Sequence, residues 1–542
     1  MKKSGKYLPI LFSLVLVLGM ILGALINKSR ENSGLINTPY GFNLQLNTPD
    51  DKVDEIIDYV VKNYVDTVQK KELEKYAITG LLKDLDPHSS YITAEEFHEI
   101  NDPLMGSFEG IGITFRIEKD TIMVINTIPG GPSEKVGLMG GDRIVKVNDS
   151  LIAGTGITNN QAIKLLKGKK GTQVKVSVYR RGIPNLLDFT ITRDIIPMYS
   201  LDVAYMVNDS IGYIKLNKFS ATTVKEFHEA LRKLKDQGME ALILDLRGNP
   251  GGFLKAAINI ADDFLQGEKL IVYTEGKARP RSYAFATSQG EWEKKKLVIL
   301  IDEGSASASE IVSGAVQDND RGTIIGRRSF GKGLVQEQLP LPDGSALRLT
   351  VARYYTPTGR CIQKPYKKDD FEDYFEESYE RYLNGEMKSA DSVHFPDSLK
   401  YTTPGGKIVY GGGGIMPDIF VPLVTDTVHT FYNLLANKGL IYQFAFDYTD
   451  NHRKELNRYK DFESFNKNFQ MSDAVYDSLV KFAHEKGIKT TPEKINLSKE
   501  KIKTLFKAFV GRNLLEEEGF YPIYHKIDTT FKRAVKYIET GK

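Results

Sequence analysis

Leu297-Val298-Ile299-Leu300-Ile301-Asp302-Glu303-Gly304-Ser305-Ala306-Ser307-Ala308-Ser309-Glu310-Ile311-Val312 changes period in its middle. The first five residues form a short apolar run of the kind buried on both faces of a parallel sheet. Ala308, Ile311, Val312, Ala315 and Val316 then recur at helical spacing. A strand, a tight turn of small residues and a helix are predicted in that order. Such a turn lifts a hydroxyl off the end of a sheet towards a helix N-terminus, where unpaired amides and the macrodipole favour a developing oxyanion. Ser307 is the middle of three candidates. Ser305 falls early in the turn, and Ser309, beside Glu310, suits a capping role in the first helical turn.

A serine nucleophile needs a base, and histidine is the usual one. Between residues 200 and 390 the chain holds a single histidine, His228, within an amphipathic stretch that reads as a surface helix, which argues against a Ser-His-Asp triad. Lysine serves when its surroundings lower its pKa from about 10.4 towards neutrality. Lys332 in Phe330-Gly331-Lys332-Gly333 fits that role, because the flanking glycines let backbone approach closely. If the strand includes it, Lys332, Leu334 and Gln336 share one face, and the neutral amide of Gln336 is placed to orient the amine. A third element, Ala241-Leu242-Ile243-Leu244-Asp245-Leu246-Arg247-Gly248-Asn249-Pro250-Gly251-Gly252, is a buried strand running into a glycine turn and a helix. Its amides, with that of Ala308, are suited to an oxyanion hole.

The blocks from Asp245 to Gly252, from Gly304 to Ile311 and from Phe330 to Gln336 resemble the three signature blocks of the C-terminal processing (tail-specific) serine peptidases. The resemblance implies Ser307 as nucleophile, Lys332 as general base and Gln336 as the residue that orients the lysine. It implies an oxyanion hole from the Ala308 amide and a glycine of the first block, Gly251, with Gly252 left open as the alternative donor. The fold it implies is an α/β peptidase core, a ClpP/crotonase-like mixed sheet with flanking helices, carrying an inserted β-rich PDZ domain, an N-terminal helical arm and a C-terminal helical extension.

The chain has 542 residues, 41% hydrophobic and 26% charged, with a net charge of +3, so it is long enough for several domains and offers no argument for nucleic acid. Cys361 is the only cysteine, which excludes an intrachain disulfide. Histidines and cysteines do not cluster at ligand spacing, so neither metal nor cofactor is expected. Lys2, Lys3 and Lys6 precede an apolar run from Tyr7 to Ile26, long enough to span a bilayer, with no clear A-x-A cleavage site. Residues 1–30 are therefore expected to be an uncleaved anchor, a cleaved signal peptide being the alternative. The lysines in front place the body outside the cytoplasm, anchored to the inner membrane of a bacterial envelope with its catalytic part in the periplasm.

Residues 45–103 show helical periodicity and are expected to form the arm. Residues 104–193 change to glycine turns and alternating strands that resemble a PDZ domain, with Gly110, Ile111 and Gly112 as the carboxylate loop and Ile113 opening the strand that pairs with a peptide. Residues 194–365 alternate strands and helices and, with 401–425 after the Gly411-Gly412-Gly413-Gly414-Ile415-Met416-Pro417-Asp418 block, are assigned to the core. Residues 366–400 are a charged insertion expected to be solvated, and 426–542 a helical extension. The function expected is a serine endopeptidase that recognises apolar C-terminal tails of exported proteins through its PDZ domain and cleaves them by a Ser-Lys acyl-enzyme route. Its partners would be such peptides and, through the N-terminal segment, a membrane; a homo-oligomer stays open. Two rivals are an inactive tail-binding adaptor, which predicts loss of Ser307 or Lys332, and an ester-cleaving α/β hydrolase, which predicts a G-x-S-x-G elbow and a downstream histidine. Both residues are present and the elbow is not.

Overall fold

The computed structural model describes residues 52–367, 372–423 and 428–542, with the backbone of two short antiparallel strands, Gly34–Asn37 and Asn43–Leu46. The apolar run Tyr7–Ile26 lies outside the described residues, and no helix among the described residues is long and apolar enough to cross a membrane. The chain divides into two compact units, residues 1–91 and 92–542. The first contains helices α1 (Lys52–Asn63) and α2 (Lys70–Lys83); in α1 only Ile57 is buried, and Val53, Ile56 and Val61 are exposed.

The second unit opens with α3 (Ala94–Met105), fixed at its start by a capping box between Thr93 and Glu96. Strand β1 (Ser107–Gly110) follows and leads into a β-domain. Its strands are β2 (Ile113–Ile117), β3 (Ile122–Thr127), β4 (Arg143–Val147), β5 (Gln173–Tyr179) and β6 (Leu187–Thr192), and its helix is α4 (Asn159–Leu166). The sheet is antiparallel throughout, in the order β6-β5-β4-β3-β2. The chain leaves through β7 (Asp194–Pro197), which pairs antiparallel with β1 from Asp194 opposite Gly110 to Pro197 opposite Ser107. The β-domain is thus inserted at a two-stranded neck.

Beyond the neck come β8 (Leu201–Met206), β9 (Ile211–Leu216), α5 (Thr223–Asp236), β10 (Ala241–Asp245) and α6 (Leu254–Asp262). A second sheet begins with β11 (Leu270–Gly276) and β12 (Arg279–Phe285); β13 (Lys296–Ile301), α7 (Ala308–Asp318) and β14 (Thr323–Gly326) then return to the first. Strands β15 (Leu334–Pro340) and β16 (Ala346–Tyr355) complete the second sheet, in the order β12-β11-β16-β15. Helix α8 (Glu372–Leu383) precedes β17 (Ile419–Phe420), the last strand of the first sheet, whose order is β8-β9-β10-β13-β14-β17. Only the β8–β9 pair in it is antiparallel, so the sheet is mixed.

Alternation along β10 and β13 sets the two faces. Leu242, Leu244, Leu297, Ile299 and Ile301 pack with Phe227, Leu231, Ile260, Ile311 and Val312 of α5, α6 and α7. Ile243, Val298 and Leu300 face the other way and pack with Phe531, Ala534 and Ile538. Those last residues belong to the C-terminal segment, which comprises α9 (Thr430–Asn437), α10 (Leu440–Leu456), α11 (Phe462–Asn468), α12 (Asp473–Glu485), α13 (Pro492–Tyr524) and α14 (Thr529–Thr540). Helices α9 to α13 have a core of their own, but α14 covers one face of the first sheet. Helical periodicity reveals an apolar stripe and not its distant partner, so the sequence alone ends the core near residue 425. Helix α10 also touches the β-domain: Arg143 Nη2 lies 3.1 Å from Asp450 Oδ2, and the Arg116 guanidinium lies 3.8 Å from the centre of the Phe446 ring.

Candidate active site

The turn between β13 and α7 is stitched by its own side chains. Asp302 Oδ1 accepts the N–H groups of Gly248 (2.8 Å) and Gly304 (3.0 Å). Ser305 and Ser309 are fully buried, and their hydroxyls donate to the carbonyls of Leu246 and Asn249, each at 2.9 Å. Ser307 differs from both. It lines the cleft, and its backbone sits at φ 54°, ψ −111°, in a region that costs a non-glycine residue about 1–3 kcal/mol. Strain of this kind persists where surrounding structure holds it, and the holder here is Glu310, whose Oε2 accepts the Ser307 N–H at 2.8 Å.

Glu310 is fully buried and also reaches the lysine loop. It accepts the Ser329 hydroxyl (2.5 Å) and the N–H groups of Gly331 (2.7 Å) and Lys332 (2.9 Å). Burial pushes its carboxyl up to about 7 while these donors pull the other way. The Tyr354 hydroxyl adds a second tie, 2.5 Å from the Lys332 carbonyl and 3.2 Å from that of Ser307. Neither residue was singled out as functional from sequence. Glu310 left a signal, a lone acid among small residues at the head of an apolar helix; Tyr354 left none.

Lys332, Ser307 and Gln336 line one cleft of about 1320 Å³. The strand-face argument does not extend to Lys332, because β15 begins at Leu334 and Lys332 lies before it; the register shift opposite Val335 and Gln336 comes from the extra residue Val351 on β16. Gln336 Nε2 donates to Thr350 Oγ1 at 3.2 Å. His228 does not line this cleft; its Nε2 lies 2.8 Å from Asp263 Oδ2.

The glycine turn after β10 abuts the serine. Gly251 has φ +100°, and a Cβ there would lie 2.7 Å from the Ala306 carbonyl oxygen, 2.8 Å from the Ser307 Cβ and 2.9 Å from the Ala308 nitrogen. Its own N–H, however, donates to Asn249 Oδ1 at 2.9 Å. Gly251 therefore supplies close approach, and its amide is already committed. The N–H groups of Gly252 and Ala308 make no hydrogen bond within the described residues, which favours Gly252 over Gly251 as the second donor. Asn249 is fully buried and donates Nδ2 to the Leu216 carbonyl at 3.1 Å, so it fixes the turn from both ends of its amide.

In the β-domain, Ile113 opens β2 and Gly112 has φ +73°, as a tight loop requires. The Ile111 carbonyl accepts the Ser133 hydroxyl at 2.6 Å, and that of Gly112 accepts the Ile128 N–H at 3.0 Å, so both carbonyls of the loop point into the domain. A cavity of about 250 Å³ lies between β2 and α4, lined by Ile111, Gly112, Ile113, Phe115, Ile163 and Leu166, with Asp102 and Pro103 of α3 closing one side. Gly110 ends β1 and pairs opposite Asp194, so it belongs to the neck and does not line the cavity.

Comparison with known proteins matches these parts separately. Profiles match peptidase family S41 over residues 210–372, a PDZ domain over 110–191 and a family of unknown function over 431–516. A carboxy-terminal-processing protease of Bartonella bacilliformis is 41% identical over 57% of this chain and 71% of its own length. The carboxy-terminal processing protease CtpA of Bacillus subtilis is 34% identical over 67% of this chain and 78% of its own length. Among solved structures, a photosystem II D1 C-terminal processing protease is similar with a TM-score of 0.36 and 24% identity, over 69% of this chain and 94% of that one.

Proposed function

From the premise that this chain belongs to peptidase family S41, among the carboxy-terminal processing proteases, we propose that it cleaves near apolar C-terminal tails by a Ser-Lys acyl-enzyme route. Lys332 takes the proton of Ser307 as the hydroxyl attacks the scissile carbonyl. The amides of Ala308 and Gly252 hold the tetrahedral oxyanion, and Lys332 then protonates the leaving amine. Gln336, on the same cleft, orients the amine in the presence of substrate.

The observation that carries this reading is the contrast among the three serines. Two hydroxyls are buried and spent on carbonyls, and the third sits on a strained backbone at the cleft that Lys332 lines. The apolar cavity between β2 and α4 supports capture of an apolar tail, with the loop of Ile111 and Gly112 receiving the terminal carboxylate. Residues 1–30 would anchor the protein to a bacterial inner membrane with the body in the periplasm.

The test is cleavage of an unstructured protein ending in apolar residues, comparing wild type with Ser307→Ala, Lys332→Ala and Ser309→Ala. Activity should disappear in the first two and survive in the third; equal activity in all four would overturn the assignment. A charged final residue on the substrate should weaken cleavage through KM.

A further inference from the structure

Residues 366–400 read as a solvated insertion, but α8 turns two of its residues inwards: Tyr374 and Arg381 are each 3% exposed. Arg381 reaches the loop that carries Lys332. Its Nη1 donates to the Ser329 carbonyl at 2.8 Å and its Nη2 to the Phe330 carbonyl at 3.2 Å. Its Nε lies 3.1 Å from Glu377 Oε1, one helical turn back, which fixes the guanidinium plane.

The same carboxylate binds the loop's other flank. Lys364, whose N–H donates to the Gly331 carbonyl at 2.9 Å, sends its buried Nζ to Glu377 Oε2 at 2.5 Å and to the Tyr374 carbonyl at 2.6 Å. The Tyr374 ring packs edge-on against Phe330 with centroids 5.7 Å apart. Arg328, at the entry to the loop, lies 2.6 Å from Glu386, just beyond α8.

Each carbonyl from Ser329 to Lys332 therefore has a named donor. Arg381 takes two, the Lys364 backbone one and Tyr354 one, while Glu310 takes the N–H groups of Gly331 and Lys332. The loop has little stiffness of its own, since Lys332 stands between two glycines and Gly331 has φ +93°. Its position must come from outside, and Arg381 is the side chain that fixes two successive peptide planes. A lysine there would be a single point of charge on a flexible stem and could not span both carbonyls with a rigid fork.

We propose that α8 is a clamp on the loop of the catalytic base, and that Arg381 is a positioning residue for Lys332 in peptide cleavage. The inference rests on the Ser-Lys reading above. Displacing a reacting group by about 1 Å costs on the order of 100-fold in rate. In Arg381→Met, kcat per folded molecule should therefore fall about 30- to 100-fold with KM within about twofold, because the tail-binding cavity is untouched.

The experiment measures kcat and KM for wild type, Arg381→Lys, Arg381→Met and the double variant Glu377→Gln with Arg381→Gln, with the folded fraction of each taken from thermal unfolding. The double variant removes both charges of the Arg381–Glu377 pair, and Lys364, which loses its carboxylate as well, keeps the Tyr374 carbonyl. The expected order of kcat is wild type, then Arg381→Lys, then Arg381→Met, with the double variant as low as Arg381→Met. Wild-type kcat in folded Arg381→Met or in the double variant would overturn the proposal, as would losses that vanish once corrected for folded fraction. Ser307→Ala in the same series separates the two ideas: if it cleaves like wild type, the Ser-Lys reading itself is wrong, whatever Arg381 does.

Discussion

Gly251 and Ser307 are in such close approach that a methyl group on the glycine would stand 2.8 Å from the serine Cβ. Real Cβ atoms do not come that near, and the φ of +100° at Gly251 disfavours any side chain as well. Gly251→Ala should cut kcat to about 1% of wild type or less, because it pushes on Ser307 and on the Ala308 amide together. Steady-state kinetics and a thermal melt on the same sample check this, the melt showing a folded but less stable protein.

Glu310 should make activity depend on pH around neutrality. Its ionised form accepts all four donors from the serine turn and the lysine loop. Burial raises its carboxyl from 4.5 to about 7, so its protonated form is favoured by folding. The stability it contributes is fully present below about pH 4.5 and is lost as pH rises through about 7, while the hold on both loops strengthens over the same range. Glu310→Gln should lower kcat about 10- to 100-fold at pH 8 and less at pH 6, and should flatten the acid side of the kcat profile.

His525 has the opposite sign. It is buried, stacked on Phe531 with centroids 3.7 Å apart, and burial lowers it from 6.5 to about 4. The stability from its neutral form is complete above about pH 6.5 and is lost as pH falls through about 4. Full loss amounts to about 3 kcal/mol. Thermal midpoints measured from pH 7 to pH 4 should fall more steeply for wild type than for His525→Phe.

Phe531→Ala should cost about 3–5 kcal/mol, the usual range for emptying a buried aromatic site. The side chain is far from Ser307 in sequence but seals Val298 and Leu300, in the strand that delivers the serine. Urea unfolding should show the loss, and activity should follow the folded fraction with kcat per folded molecule unchanged.

Local chemistry made much of this molecule legible from its sequence. The strand, turn and helix around Ser307 could be read because the period changes within a few residues, and the inserted β-domain because glycine turns punctuate it. The contacts that join distant segments left no such mark. Arg381 sits in a stretch whose charge suggests solvent, yet its carbonyl partners lie some fifty residues earlier in the chain. The bulge opposite Gln336 is one extra residue, Val351, on the partner strand, invisible to a count of alternation along either strand alone. The commitment of the Gly251 amide depends on the rotamer of Asn249, which sequence does not encode locally.

The sheet face covered by α14 sets an order of events in synthesis. Strands β8 to β14 leave the ribosome about 200 residues ahead of that helix, an interval of roughly 10–40 s at ordinary elongation rates. Until Phe531, Ala534 and Ile538 arrive, Val298 and Leu300 lack the cover those residues give them. The apolar face of the sheet thereby stays open through most of the chain's own production and closes only with its last helix.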